Sequence, residues 1–299
     1  MRPSRCTVKR RLVYAVGSLA NLILRIDHLT ANSKTMIKSI EGKIVKTQNL
    51  AVFATYAERP LDEFDIQVLT DLRSSGFGIC IVVNVENEIH TNYSNYADVV
   101  IKRKNIGLDI AAIRDALRIL GSDWNHIILL NDSVAWPNKN FPNVIAAVLD
   151  FDSKNEVLGL VDSYQRSHHV QSFFLSANHH SAKHLFEVYM NIRNWRFKRS
   201  IVTFGEIPIK SNLQQIGVYV QTLISCKELE LNLMLKGATN SDEVEIIDFI
   251  KKGIPLNPSQ HLWRMLLDNE FGCIKRSLVQ SNPAKLADPP TYFYVSKDT

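Results

Sequence analysis

The chain has 299 residues, of which 45% are hydrophobic and 22% charged, as in an ordinary globular protein with a sizeable core. The net charge of +5 resides in residues 1–11, which hold five basic residues and no acid, and the rest of the chain is balanced. This balance argues against a nucleic-acid-binding protein, which carries a basic face on its folded body. Four scattered cysteines without CxxC spacing argue against a zinc site or a disulfide framework and favour a reducing compartment.

The basic segment leads into an apolar run at residues 12–24 that is too short and too interrupted to span a bilayer. Helical spacing relates Leu12, Val16, Leu19, Ile23 and Ile26. A basic flank followed by an amphipathic helix is typical of an interfacial anchor on an anionic leaflet. An ordinary helix packed on the main domain is the alternative, and the sequence leaves both open.

Buried strands and amphipathic helices alternate between residues 49 and 193. Strands are predicted at 49–56, 78–85, 97–101, 126–130, 157–161 and 170–175. Helices are predicted at 61–75, 107–120, 142–151 and 180–193. This alternation indicates an α/β fold with a mostly parallel sheet flanked by helices. After Asn212 the chain is predicted to be mainly helical, with a helix from Ser259 to Leu267 and Ser259 as its N-cap.

We therefore expect three parts. Residues 1–47 form the basic tail and the amphipathic helical segment, residues 48–225 form the α/β domain, and residues 226–299 form a mainly helical C-terminal region.

The apolar run at 126–130 stops abruptly at Asn131, Asp132 and Ser133. An apolar run of this length is typical of a strand buried on both faces, and ligands bind beyond the carboxyl ends of such strands. The sequence therefore places an amide, an acid and a hydroxyl where a phosphate-bearing ligand or its metal would bind. A polar turn after a core strand is the alternative, because all three residues favour turns.

The helix predicted at 107–120 begins with a second polar motif. Gly107, preceded by Asn105, permits a tight strand-to-helix turn and close approach of a ligand. Asp109 falls in the first helical turn, where the helix dipole favours a carboxylate. Arg114 lies at the border of the apolar stripe and needs a partner, either a carboxylate or a ligand phosphate, unless it reaches solvent.

A third cluster surrounds the strand predicted at 157–161. That strand ends at Asp162, and a polar loop leads to His169 and Gln171 at the next strand. We expect His169 and Gln171 to lie near a sheet edge, within reach of a bound polar ligand.

Together these motifs resemble the rhamnan synthesis protein F family of polysaccharide glycosyltransferases. The resemblance rests on their order along the chain and runs from about Asn49 to about Pro283. The similar motifs are Asn105-x-Gly-x-Asp109, Leu130-Asn-Asp-Ser133, Gly159-Leu-Val-Asp162, His169-x-Gln-Ser-Phe-Phe174, Asn257-Pro-Ser-x-x-Leu-Trp263, and Ile274-Lys-Arg-x-Leu278 followed by Asn282-Pro283.

The resemblance implies a GT-A-like fold that transfers rhamnose or a related deoxyhexose from a nucleoside-diphosphate donor to a growing surface polysaccharide. His169 and Gln171 would line the sugar or acceptor side, and Asp132 would hold Mg²⁺ or Mn²⁺. The donor-binding candidates are Asn105, Gly107, Asp109, Arg114, Asn131, Asp132 and Ser133. The expected partners are the nucleotide sugar, a glycan or lipid-linked acceptor and a peripheral membrane surface, without nucleic acid. The expected location is the cytoplasm, at the inner face of the cell membrane.

An inverting transfer also needs a base for the acceptor hydroxyl. Related sequences carry an acid where this chain reads Gln214-Gln-Ile-Gly-Val218, so that an amide, Gln215, falls at that position. Glu206, in a predicted loop at 204–208, and Asp162 are the remaining candidates for the base. The amide also favours an alternative function, a non-catalytic glycosyltransferase-like scaffold subunit of a glycan assembly complex.

Overall fold

The computed structural model describes residues 20–43, 47–86 and 93–290. Within these ranges the chain forms a mixed α/β fold around a nine-stranded sheet. Its strands are β1 (Ile37–Gly42), β2 (Asn49–Tyr56), β3 (Phe77–Val85), β4 (Val99–Lys104), β5 (His126–Asn131), β7 (Glu156–Ser163), β8 (His169–Val170), β9 (Phe174–Asn178) and β10 (Tyr219–Ile224). A separate antiparallel pair joins β6 (Val134–Ala135) to β11 (Ile274–Lys275).

Helices cover both faces of the sheet. They are α1 (residues 20–30), α2 (Glu63–Ser74), α3 (Leu108–Leu120), α4 (Phe141–Asp150), α5 (Ala182–Met190), α6 (Lys198–Ser200), α7 (Pro208–Gln215), α8 (Cys226–Lys236), α9 (Ser241–Lys251), α10 (Pro258–His261), α11 (Trp263–Leu267) and α12 (Arg276–Ser281). A π-helical segment, Ile201–Glu206, joins α6 to α7. None of the helices in the described ranges has the length and apolarity needed to cross a bilayer.

The strand order is β1-β4-β3-β2-β5-β9-β7-β10, with β8 paired to β7. The pairs within β4-β3-β2-β5 are parallel, as is β7 with β10. β1 and β9 run antiparallel to their neighbours, so the sheet is mixed rather than uniformly parallel. The carboxyl ends of β2, β3, β4 and β5 consequently meet at one edge, where ligands bind in sheets of this kind.

Alternating side chains of the central strands enter two cores. Phe53 and Ile128 pack with α2, α4 and the C-terminal helices on one face. Val52 and Leu129 pack with α3 and α5 on the other face, because successive side chains of a strand point to opposite sides. Residues from α8, α9 and α11 share the first core with the sheet, and the boundaries predicted at 47/48 and 225/226 stay predictions.

Several sequence predictions need correction. β10 lies where the chain was expected to be helical, because an edge strand is only half-buried and has no continuous apolar run. The strand predicted at 170–175 is instead two strands, β8 and β9, separated by a turn. The loop predicted at 204–208 is helical. Asn257, and not Ser259, caps α10, since its side chain accepts a hydrogen bond from the Ser259 N–H.

The predicted amphipathic helix lies partly outside the described residues. Residues 20–30 are helical, whereas Leu12, Val16 and Leu19 fall before the described ranges. An amphipathic helix over the whole segment therefore stays a prediction.

Candidate functional site

A cavity of about 220 Å³ lies at the carboxyl ends of β2 and β5. α3, the π-helical segment, the β8–β9 turn and β11 supply the other walls. The polar side chains that line it are Tyr56, Asp109, Asn131, Asp132, Ser133, Ser172, Lys198, Glu206 and Lys275. Five of the predicted site residues are therefore brought together: Asp109, Asn131, Asp132, Ser133 and Glu206.

Asp132 is held in one orientation by two neighbours. Thr55 Oγ1 donates a hydrogen bond of 2.7 Å to Asp132 Oδ2, and Arg59 Nε donates one of 3.2 Å to the same oxygen. The carboxylate is 8% exposed, and no hydrogen bond from a described residue reaches its Oδ1. One oxygen thus fixes the side chain, and the other is available to a ligand.

Arg59 belongs to a larger ionic network that braces the loop after β2. Its guanidinium pairs with Asp62 at 3.2 Å and with Asp65 at 2.6 Å. Arg276, at the start of α12, donates to the same two carboxylates. A reciprocal capping box between Asp62 and Asp65 begins α2, so the network fixes the start of α2, the loop before it and the start of α12 together.

Asn131 connects Asp132 to α3. Its Nδ2 donates to Asp109 Oδ2, and its Oδ1 accepts from the N–H of Ser133 at 3.0 Å and from Ser133 Oγ at 2.6 Å. Burial raises the pKa of Asp109 to about 6, and the nearby charges of Glu206 and Asp132 add to this. The cavity therefore concentrates negative charge, which a cation or a positively charged side chain would relieve.

Glu206 enters the cavity from the last residue of the π-helical segment. Its Oε1 lies 3.5 Å from the N–H of Ser172, at the limit of a hydrogen bond. π-Helical turns are rare and occur frequently at functional sites. Among the residues that the structure describes, the Glu206 carboxylate is thus only weakly held.

Two lysines on the lining were not predicted. Lys198 is exposed and Lys275 half-buried, and neither forms an ion pair with any residue in the described ranges. Lys275 Nζ lies 5.8 Å from the centre of the Phe173 ring, which also lines the cavity. Such cations are suited to neutralise a bound diphosphate.

The sequence analysis also missed Tyr56. Tyr56 ends β2, which is parallel to β5, so the expectation that ligands bind beyond the carboxyl ends of buried strands applies to it as it does to Asn131. Burial, together with Asp109 and Asp132, raises the pKa of its hydroxyl above the usual range. The hydroxyl therefore stays protonated and can donate a hydrogen bond.

The metal site predicted at Asp132 receives limited support from the side chains. Among the residues that the structure describes, no group of three His, Cys, Asp or Glu side chains is arranged to hold a metal ion. Asp132 Oδ1 is an oxygen ligand of the kind that Mg²⁺ and Mn²⁺ accept. A metal bound there would take most of its ligands from water and from donor phosphates.

The assignment of Arg114 to the donor site is wrong. Its side chain is fully buried, donating to Asp115 Oδ1 at 2.6 and 3.0 Å and to Asn194 Oδ1 at 2.8 Å. Asp115 also accepts a hydrogen bond of 2.9 Å from buried Arg103. Arg114 thus belongs to a buried structural ion-pair network. Its guanidinium, at the border of the apolar stripe of α3, pairs with the Asp115 carboxylate inside the domain.

Asp162 does not line the cavity either. Its Oδ1 accepts from the Cys226 N–H at 2.7 Å, at the start of α8, and its Oδ2 lies 2.6 Å from His168 Nε2. A carboxylate at a helix N-terminus is stabilised by the helix dipole. Asp162 therefore holds the end of β7 to the start of α8 and, unlike Glu206, does not line the cavity.

Four other candidate site residues make their contacts outside the cavity. His169 Nδ1 contacts Ser167 O at 2.7 Å, and Gln171 Nε2 donates to Asn257 Oδ1 at 2.7 Å. Asn105 donates to Glu86 at 3.1 Å. Gly107 begins α3 with φ 82°, and a Cβ there would lie 2.5 Å from the Cβ of Ala111, so the turn itself requires glycine. None of these four residues lines the cavity.

Comparison with known proteins agrees with the motifs. Residues 79–269, more than half of the chain, match the model of the rhamnan synthesis protein F family. The chain belongs to the rhamnan synthesis protein F family.

One curated relative is the uncharacterized protein y4gN of Sinorhizobium fredii (strain NBRC 101917 / NGR234), 26% identical over 200 residues, or 63% of this chain and 52% of the relative. The chain thus spans about half the length of the curated relative that it matches.

Two similar solved structures are glycosyltransferases. The mannosyltransferase PcManGT of Pyrobaculum calidifontis, in complex with GDP-Man and Mn²⁺, is 10% identical, with 86% of this chain and 83% of that chain covered and a TM-score of 0.37. The catalytic domain of Drosophila beta1,4galactosyltransferase 7, in complex with xylobiose, is 12% identical, with 58% and 64% covered and a TM-score of 0.34.

Proposed function

We propose that this protein transfers a sugar, rhamnose or a related deoxyhexose, from a nucleoside-diphosphate donor to a growing surface polysaccharide, on a GT-A-like fold. The observation that carries this proposal is the cavity at the carboxyl ends of β2 and β5. There Asp132, held by Thr55 and Arg59, shares one lining with two cationic side chains. Family membership supports glycosyl transfer as the reaction.

The donor diphosphate would lie between Asp132 and the two lysines, Lys198 and Lys275. Their charges would stabilise the diphosphate as it leaves, and this stabilisation is greatest where the charge develops. Mg²⁺ or Mn²⁺, if bound between Asp132 and the phosphates, would supply further positive charge to the leaving group. Asn131 and Ser133 fix the backbone around Asp132 and so keep its carboxylate in place.

Glu206 is the proposed base of an inverting transfer. The acceptor oxygen attacks the anomeric carbon of the donor sugar while its proton passes to the Glu206 carboxylate. The bond between the anomeric carbon and the diphosphate oxygen breaks, and the nucleoside diphosphate leaves with that electron pair. Glu206 suits this role because it lines the cavity and because its one hydrogen bond to a described residue, from the Ser172 N–H, is long.

The position of Gln215 weakens the main argument for the alternative function, a non-catalytic scaffold subunit. It rested on the amide Gln215, but Gln215 is exposed at the end of α7 and does not line the cavity. An amide at that position leaves the carboxylates of the cavity unchanged. Three acids on one lining, one of them with a raised pKa, instead favour catalysis.

A thermal-shift screen of the pure protein against a panel of nucleoside-diphosphate sugars tests the proposal and identifies the donor. A matching donor should raise the melting temperature, and hydrolysis or transfer of that donor should be measurable with and without acceptor. Lys275→Gln should weaken donor binding about tenfold or more, whereas Lys251→Gln, at an exposed position of α9, should not. Absence of any stabilising donor would refute the proposal.

The acceptor is proposed to be a glycan or a lipid-linked glycan. A lipid-linked acceptor would place the reaction at the inner face of the cell membrane, and the five basic residues within 1–11 favour an anionic surface.

A further inference from the structure

We propose that α1 and residues 193–199, which lead into and begin α6 and are here called the 193–199 loop, together form a surface that docks on an anionic lipid bilayer. This inference rests on the proposed reaction at a membrane and identifies the surface responsible. The first observation is the outward face of α1. Four large aliphatic side chains there are exposed to 52%, 40%, 51% and 78%: Leu22, Ile23, Ile26 and Leu29.

These side chains face solvent because the opposite side of α1 is fixed to the domain. Asp27 is only 3% exposed, and its carboxylate accepts the backbone N–H groups of Arg196 at 3.0 Å and Phe197 at 3.2 Å. The His28 ring packs 4.3 Å from the Phe204 ring. The helix therefore cannot rotate to bury its aliphatic face without breaking these contacts.

The 193–199 loop adds an aromatic side chain and positive charge beside this face. Phe197 is 50% exposed, although its backbone is bound to Asp27. The exposed basic side chains of these two segments are Arg25 on α1 and Arg193, Arg196, Lys198 and Arg199 in the loop. The only acid within residues 20–30 and 193–199 is the buried Asp27, so the exposed charge of this surface is entirely positive.

An apolar face bordered by cations fits an anionic leaflet better than a second copy of the chain. Aliphatic side chains enter the boundary between headgroups and acyl chains, while Arg and Lys remain at the headgroups. A symmetric dimer through this face would bring two sets of like charges together, which is unfavourable. The five basic residues within 1–11, just before α1 in the sequence, have the same sign.

The same surface is continuous with the candidate site. Lys198 belongs to the 193–199 loop and also lines the cavity, and Ile201 and Val202 continue that wall. A docked chain would therefore hold the cavity beside the headgroups, where the sugar of a lipid-linked acceptor is found. The substrate class that follows is an acceptor carried on a membrane lipid.

Co-sedimentation of the full chain with vesicles tests this surface. Vesicles of phosphatidylcholine that contain phosphatidylglycerol should bind the protein, binding should fall as salt is added, and phosphatidylcholine alone should bind it weakly. Leu29→Ser should weaken binding about tenfold and Arg196→Gln about fivefold. Matched controls are Leu235→Ser, where the leucine is 75% exposed on α8, and Lys251→Gln on α9.

Equal binding of Leu29→Ser and Leu235→Ser to these vesicles would overturn the proposal. So would a wild-type dimer that Leu29→Ser converts to a monomer in sedimentation velocity, because the face would then join two copies. Donor binding should be the same in wild type and Leu29→Ser. A Leu29→Ser protein that loses lipid binding but keeps donor binding would support this surface independently of the proposed transfer. A Lys275→Gln protein that loses donor binding but keeps lipid binding would separate the two in the other direction.

Discussion

Arg59 Nε donates a hydrogen bond of 3.2 Å to Asp132 Oδ2, although 73 residues separate the two in sequence. The pair joins the loop after β2 to the end of β5, and Thr55 completes the support of the carboxylate. A carboxylate held in this way is preorganised, because its orientation is fixed before a ligand binds.

Asp132→Asn should abolish detectable donor binding while leaving a folded protein. The amide keeps the size of the side chain but loses the charge that would face a metal or a diphosphate–metal complex. Loss of the ion pair between Arg59 and Asp132 should lower the free energy of unfolding by about 1–3 kcal/mol. The loss is no larger because Asp62 and Asp65 still bind the guanidinium. Calorimetric donor titration and urea unfolding measure the two effects. Asp162→Asn is the control for the same substitution outside the cavity, and equal donor affinity in both variants would contradict the assignment.

Asp115→Ala should lower the free energy of unfolding by about 3–5 kcal/mol, because it leaves the buried guanidinium groups of Arg103 and Arg114 without their carboxylate partner. Urea denaturation provides the measurement. Arg118→Ala, one turn further along α3, should change stability by only about 1 kcal/mol, because this half-buried side chain donates a single hydrogen bond, to Ser33 O. A small effect of Asp115→Ala would show that the network contributes little to the fold.

Glu206→Gln should lower turnover by about 10²–10⁴-fold, because glutamine cannot accept the acceptor proton, and donor affinity should be preserved. Turnover at saturating donor and acceptor is the measurement, with Glu245→Gln, at an exposed position of α9, as the control. A loss of less than about threefold would remove Glu206 from the mechanism.

The raised pKa of Asp109, about 6, predicts a pH effect of definite sign. Burial and the neighbouring acids favour the protonated form in the folded state, so this contribution to stability is full below pH 3.8 and is lost as pH rises through about 6. Asp109→Asn removes the dependence. The melting temperature of Asp109→Asn relative to wild type should therefore rise between pH 4 and pH 7, and a constant difference over that range would contradict the shift.

The sequence identified the residues of the cavity lining that lie at the end of β5. Asn131, Asp132 and Ser133 were found because a wholly apolar strand ends there, and that signal requires no knowledge of distant contacts. Arg59 and Lys275 were missed because nothing local marks them. Each acts through residues far away along the chain, and only the folded sheet brings them to Asp132 and the cavity.

The errors have the same origin. Arg114 was correctly expected to need a partner, but its neighbour Asp115 could not be distinguished from a ligand phosphate by spacing alone. Gln171 and Asp162 lie at strand ends, as predicted, yet their hydrogen bonds go to Asn257 and to the start of α8. Strand ends identify an edge of the sheet, and the direction of each side chain there is set by the helices that pack on it.

The short pair β6–β11 has a consequence for the order in which the protein is completed during synthesis. β6 directly follows Ser133, and its partner β11 lies more than a hundred residues later and carries Lys275 into the cavity. The next residue, Arg276, closes onto Asp62 and Asp65, and its N–H binds Ser133 O at 2.9 Å. The central sheet can form on the ribosome while the cavity still lacks a wall. A fragment that stopped at residue 269, where the family match ends, would be expected to keep the sheet and lose the completed site.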